Sequence, residues 1–284
     1  MSRFYFTKMS GSGNDFVLFD QKLNENLSLS PIFVRKVCDR RNGIGADGVI
    51  LISESKDYPF EMTYYNSDGS TGSLCANGAR CSLWYCFLSK RIQSDRIDFL
   101  SNNISYSGQV LEDERVIFYL LSPKKMKFDF KINAAGQLIN ACFCDSGSPH
   151  VVININDVLQ QPNQANSRFD NLDNFPVKEI GSEIRYSPDF APDGVNVNFI
   201  DSTNSVINIR SYERGVEDET LSCGTGIVAS AIITFFKNKR KLPINFLAKS
   251  GDILTVDFQQ NGNEIENISL TGPAKIIFNG EITI

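Results

Sequence analysis

The chain has 284 residues, 42% hydrophobic and 21% charged, a length that suits two domains better than a single core. Its formal net charge is −5, from 28 Lys and Arg against 33 Asp and Glu, which excludes a general nucleic-acid surface because phosphate binding draws on clustered cations. A near-average composition excludes disorder, collagen and coiled coil as descriptions of the whole, and seven cysteines in so large a chain are not a disulfide scaffold.

The first twenty residues, MSRFYFTKMSGSGNDFVLFD, lack the long apolar run of a signal peptide, so a cytoplasmic location is expected. Residues 4–9 read as the first strand. Ser30 offers an N-cap, Pro31 a first helical position and Gly43 a stop, which predicts a helix over residues 31–41. Residues 49–52 and 60–65 read as strands bounded by Gly, Asn, Asp or Ser. A second helix is predicted from Cys75 to about Lys90. Residues 116–121 and 151–155 read as strands, and the polar stretch 160–174 (QQPNQANSRFDNLDN) as a loop. A strand over residues 206–212 precedes a third helix, from Cys223 to about Lys239, which ends in the basic run KNKRK that suits a helix C-terminus. Its apolar core, residues 226–236, is too short to span a bilayer. Residues 253–258 read as a further strand.

The second and third helices share a form: Cys-x-x-Gly followed by a long apolar stretch, the two cysteines lying about half the chain apart. This is a weak internal repeat, consistent with duplication of one β-rich domain built on a long central helix. A helix N-terminus presents N–H groups and the positive end of the macrodipole, so a thiol placed there is more readily ionised. The same amides bind a carboxylate. Ala76, Asn77 and Gly78, with Gly224, Thr225 and Gly226, therefore form two candidate anion cradles, each carrying a thiol. If the halves face each other, a small acid bound there loses a proton from one face of a carbon and regains one on the other. Nucleophilic catalysis by cysteine is the alternative; it needs a His base, and His150 is the sole histidine, so it serves only one thiol. Cys81-x4-Cys86 and Cys142-x-Cys144 do not match the paired spacing of structural zinc, so no metal is expected, and Cys81 and Cys86 read as core residues of the second helix.

Nine segments in order resemble the diaminopimelate epimerase family over nearly the whole chain: residues 9–16 (MSGSGNDF), 40–47 (RRNGIGAD), 66–70 (NSDGS), 75–80 (CANGAR), 147–150 (GSPH), 194–199 (GVNVNF), 212–215 (YERG), 219–226 (ETLSCGTG) and 270–273 (LTGP). The resemblance implies an α+β fold of two similar β-rich domains, each a mostly antiparallel, barrel-like sheet around a central helix, with the active site in the cleft between them. Residues 1–122 plus 273–284 would form the N-terminal domain and 123–272 the C-terminal one. It implies a PLP-independent isomerase that interconverts LL- and meso-diaminopimelate, in lysine and peptidoglycan precursor synthesis, with no cofactor.

By motif match Cys75 and Cys223 are the two catalytic cysteines, one the thiolate base and the other the thiol acid, exchanging roles with the direction of reaction. His150 and Glu213 match residues that hydrogen-bond the thiols and assist their deprotonation. The reacting carboxylate falls to Ala76, Asn77, Gly78, Gly224 and Thr225. Arg214, Glu213, Asn66 and Asn196 match residues that hold the distal end, and Asn14 another substrate contact. The sequence departs from the usual pattern at Ala76 (commonly Gly), Ser148 (commonly Asn) and Gly48 (Gln in some members). The expected partner is the small-molecule substrate, with no nucleic acid or membrane, and with a homodimer left open. Rival readings are another cofactor-independent racemase of this fold, such as a proline racemase, or a cysteine hydrolase. Asn77 stands where proline racemases usually have His, and Arg214 suits a second carboxylate that proline lacks.

Overall fold

The computed structural model describes residues 2–72, 74–94, 96–262 and 264–283. Among the described residues four α-helices interrupt a mostly antiparallel strand framework: α1 (Pro31–Cys38), α2 (Ala76–Leu88), α3 (Val177–Arg185) and α4 (Gly224–Asn238). The chain divides into two compact units, Met1–Tyr119 with Thr271–Ile284, and Leu120–Leu270.

In the first unit Arg3–Gly11 reverses through Ser12 and Gly13, both at positive φ (57° and 86°), into the antiparallel strand Asn14–Asp20. Two left-handed residues match the twist of a two-residue hairpin. Lys275–Thr283 pairs antiparallel with the other edge of Arg3–Gly11. Asn14–Asp20 lies parallel to Gly48–Ser53, so the chain must cross over, and α1 makes that crossing. Ser30 Oγ accepts the Phe33 N–H at 3.2 Å as N-cap. The helix ends at Cys38, short of the predicted residue 41, because Asp39 turns the chain. Its carboxylate accepts from the N–H groups of Arg41 (2.7 Å) and Asn42 (2.8 Å). Gly48–Ser53 pairs antiparallel with Glu61–Asn66, α2 makes a second crossover, and Arg96–Ser101 returns parallel to Glu61–Asn66. Ile104–Val110 and Arg115–Leu120 complete an antiparallel meander. Nearly every residue of α2 from Ala76 to Cys86 is buried, as expected of a central helix rather than an amphipathic surface one.

The second unit has the same order of elements. Gln137–Asp145 runs antiparallel to Pro149–Asn154, which is parallel to Asn196–Asp201 across the α3 connection. Asn196–Asp201 pairs antiparallel with Ile207–Glu213; α4 follows, and Ile244–Leu247 returns parallel to Ile207–Glu213 before pairing antiparallel with Ile253–Asn261. The weak repeat of the sequence is thus a repeat of topology, and α2 and α4 occupy equivalent places. Lys125–Ala134 adds a strand beside Gln137–Asp145. Residues 160–174 are irregular, as predicted. Among the described residues, helix α3 and ten strands are additional to the predicted elements: Asn14–Asp20, Arg96–Ser101, Ile104–Val110, Lys125–Ala134, Gln137–Asp145, Asn196–Asp201, Asp218–Thr220, Ile244–Leu247, Glu264–Pro273 and Lys275–Thr283. No helix among the described residues is long and apolar enough to cross a membrane.

Candidate active site

Cys75 is the N-cap of α2 and Cys223 the N-cap of α4, both in extended backbone (φ −96° and −113°). The first carbonyl of each helix is the cysteine's own: Ala79 N–H bonds Cys75 O at 2.8 Å and Ile227 N–H bonds Cys223 O at 2.9 Å. A helix begun this way directs the N–H groups of residues 76–78 and 224–226 out of its end, toward whatever lies beside the thiol. Cys75 is half-buried and Cys223 buried.

In the first unit the Cys75 thiol donates to Asn14 Oδ1 at 3.6 Å. The Asn14 amide is oriented by Asp47, whose carboxylate accepts from Asn14 Nδ2 at 2.6 Å and can only accept. Asp47 in turn is held by Arg40 (2.6 Å), which also clamps Asp15 at 2.7 and 3.1 Å. Lys8 closes the cluster on Asp15 at 2.6 Å. Burial tends to raise the Asp15 carboxyl, but hydrogen bonds and charge from Arg40 and Lys8 outweigh it and hold it down at about 2. Asn77 Nδ2 also donates to Asn14 Oδ1, at 3.4 Å, and the fully buried Arg80 fixes Asn77 by donating from Nη2 to its Oδ1 at 2.9 Å. Asn66 ends its strand, opposite Gly48, and donates to Ser70 Oγ at 3.0 Å across the following turn. A Cβ on Gly78 would meet Met62 and Ile50 at 3.2 and 3.3 Å, so the missing side chain lets α2 settle on the core.

In the second unit the Cys223 sulfur lies 3.7 Å from Thr225 Oγ1, and Thr225 Oγ1 lies 2.9 Å from His150 Nε2. Ser148 Oγ is also 2.9 Å from Nε2. His150 is fully buried; burial, helped by the positive charge of Arg214, pushes its ring down to about 3, so it is neutral. Asn196 donates to Ser148 Oγ (3.3 Å) and Pro149 O (3.1 Å), and its Oδ1 accepts the Arg214 N–H at 2.9 Å. Thr220 donates to Glu213 Oε2 at 3.0 Å.

The structure therefore gathers Asn14, Cys75, Asn77 and the start of α2 in one cluster. It gathers His150, Asn196, Arg214, Cys223, Thr225 and the start of α4 in another. Cys38, Cys81, Cys86, Cys142 and Cys144 are buried thiols, and burial raises all five, Cys81 and Cys144 to about 12. Among the described residues no group of His, Cys, Asp and Glu is arranged to hold a metal ion.

Sequence reasoning missed Arg80, Asp47 and Asn198 as members of these networks. For Asn198 a signal existed: Asn196 and Asn198 alternate with Val197 and Phe199, which puts both amides on one face of a strand. For Arg80 the signal was a charged residue inside an otherwise apolar helix, which burial permits only with partners.

A family model described as diaminopimelate epimerase matches residues 6–120 and 142–277. Diaminopimelate epimerase of Chlorobaculum tepidum is 38% identical over 279 residues, 97% of this chain and 100% of the relative. That of Aquifex aeolicus is 34% identical, covering 98% of this chain and 97% of its own. Among solved structures, a phenazine biosynthesis protein of the PhzF family from Bacillus anthracis aligns over 100% of both chains with a TM-score of 0.74 at 12% identity. A hydroxyproline epimerase from Agrobacterium vitis aligns over 99% of this chain and 92% of its own with a TM-score of 0.68 at 15% identity. At such low identity these two structures report the shared fold alone.

Proposed function

The chain belongs to the diaminopimelate epimerase family, and from that premise we propose that it interconverts LL- and meso-diaminopimelate with Cys75 and Cys223 as its acid–base pair. The observation that carries the reading is the equivalent placement of the two thiols, each the N-cap of the helix that follows the same hairpin in its own unit.

One cysteine, as thiolate, takes the α-proton and becomes a thiol. The electron pair left behind delocalises into the adjacent carboxylate. The other cysteine, as thiol, gives its proton to the opposite face and becomes a thiolate. The product is the inverted centre, and the two sulfurs have exchanged protonation states. Charge grows on the carboxylate as the proton leaves, and N–H groups already fixed at a helix start stabilise it without reorganisation. We assign that carboxylate to the first turns of α2 and α4, through Ala76, Asn77, Gly78, Gly224 and Thr225. The distal carboxylate falls to Arg214, whose planar fork suits it. Asn66, Asn196 and Glu213 take part in holding the distal amino and carboxylate groups, and Asn14 is a further substrate contact that also accepts from Cys75. His150 and Glu213 support the thiols. The chemistry asks for no PLP and no metal, and it needs reduced sulfur, which fits a cytoplasmic location.

The purified protein, incubated with LL-diaminopimelate in deuterated water without added cofactor, is expected to form the meso isomer carrying deuterium at the inverted carbon. Neither inversion nor deuterium with diaminopimelate, together with turnover of proline, would move the assignment to the proline racemase type.

A further inference from the structure

We propose that Asn198 is a positioning residue that locks His150 as a neutral ring protonated on Nε2, so that the chain's one histidine acts as a hydrogen-bond donor toward Thr225 and Ser148 and not as a proton acceptor. The inference deepens the proposed function and rests on it for its catalytic consequence.

The amide of Asn198 has a fixed orientation. Its nitrogen lies 3.1 Å from the carbonyl of Val151 and 3.1 Å from His150 Nδ1. A backbone carbonyl only accepts, so the atom facing it is the NH2 group. The amide oxygen faces the other way and accepts from Ser211 Oγ at 2.8 Å. A flipped amide would set two acceptors against each other at Val151. The orientation is also fixed by packing: a Cβ on Gly226 would lie 2.2 Å from Asn198 Oδ1, so the amide is seated against the first turn of α4. Both hydrogens on Nδ2 are then committed, one to Val151 and one to His150. His150 Nδ1 must accept, and a neutral ring that accepts at Nδ1 carries its proton on Nε2.

That proton points at the site. Nε2 lies 2.9 Å from both Thr225 Oγ1 and Ser148 Oγ. With the ring donating, the Thr225 hydroxyl keeps its own hydrogen for the Cys223 sulfur, 3.7 Å away, a bond that favours the thiolate. The ring's only lone pair is occupied by Asn198. The groups around it agree with a neutral ring. Asn196 is its register partner on one side, and Cys144, a buried thiol held protonated, is its partner on the other. Arg214 opposes a second proton.

Because the chain has one histidine, nitrogen-15 NMR of the full-length protein labelled in histidine reads this ring alone. The expected spectrum has Nδ1 bare and Nε2 protonated, without titration from about pH 5 to 8, the span in which an ordinary histidine changes charge. A protonated Nδ1, or a titration in that span, overturns the proposal. In Asn198→Asp a carboxylate faces Nδ1 and draws a proton to it, so the Nδ1 signal is expected to move to the protonated range. kcat is expected to fall by about tenfold or more, with KM changed by less than about twofold, as for an interaction made in the transition state. Unchanged kcat with the ring visibly switched refutes the positioning role. Should that variant fail to fold, the native spectrum still decides the tautomer. A protein with the Nε2–H ring that leaves diaminopimelate untouched refutes the proposed function and upholds the ring assignment.

Discussion

At the scale of single residues, the two thiols share a helix position but have different neighbours. Cys75 donates to the Asn14 amide oxygen, an acceptor, whereas Cys223 lies beside the Thr225 hydroxyl. Removing either sulfur should expose a division of labour. Cys75→Ala and Cys223→Ala are each expected to lower the rate of inversion by about 100- to 10,000-fold, the usual contribution of one positioned acid or base. The surviving thiolate still removes the α-proton of the isomer presented to it and returns a solvent deuteron to the same face. Each variant should therefore exchange deuterium into one isomer without inversion, and the two variants should choose different isomers. Mass spectrometry of separated LL and meso substrate after incubation in deuterated water reads both. Inversion at near-native rate in either variant would refute a two-thiol mechanism. The cysteines themselves were legible in the sequence, because Cys-x-x-Gly ahead of an apolar run is a local pattern. For Asn198 the alternation shows only the strand face: its partners lie on strands Pro149–Asn154 and Ile207–Glu213, and only tertiary pairing brings these together.

Elements carry the site by holding those residues in register. The Asp15 carboxylate ties three of them: its own strand, strand Arg3–Gly11 through Lys8, and the segment after α1 through Arg40. Arg40 also holds Asp47, which orients Asn14 beside Cys75. The Asp15 carboxyl lies at about 2 in the folded protein against 3.8 unperturbed. A depressed carboxyl contributes stability that is full above its unfolded value and is lost as pH falls through its folded one. Urea unfolding is therefore expected to show stability falling from about pH 4 to about pH 2, with a shallower slope in Asp15→Asn, which takes up no proton. Equal slopes in the two proteins would remove Asp15 as the source. The elements themselves were unevenly legible. Helix α1 carries Ser30 and Pro31 as start signals, but α3 begins after Pro176 with no side-chain cap and has Gly181 at its centre. Gly181 is there for packing, since a Cβ would come within 2.5 Å of Tyr212, and a requirement of that kind leaves no local mark. Lys125–Ala134 is a mostly exposed, charge-rich strand with a bulge between Lys127 and Phe130, which breaks the alternation by which strands are read.

For the whole molecule, the repeated topology accounts for the unequal division of the seven cysteines. Each unit gives one sulfur to a helix start, and the other five are spent in the interior as small apolar side chains. Only the thiolate is alkylated. Burial raises Cys38 to about 11 and Cys81 and Cys144 to about 12, and it raises Cys86 and Cys142 as well, so all five are both shielded and protonated at neutral pH. Cys75 is half-buried at an amide-lined helix end. A brief pulse of iodoacetamide on the native protein should therefore label Cys75 ahead of those five, and activity should fall in step with that single modification. Diaminopimelate should slow both losses, because a bound carboxylate occupies the first turn from which the reagent must approach. Peptide mapping distinguishes the outcomes. Labelling spread over the buried five, with activity retained, would mean that the helix-start sulfur has no special reactivity and that the acid–base assignment has lost its physical basis.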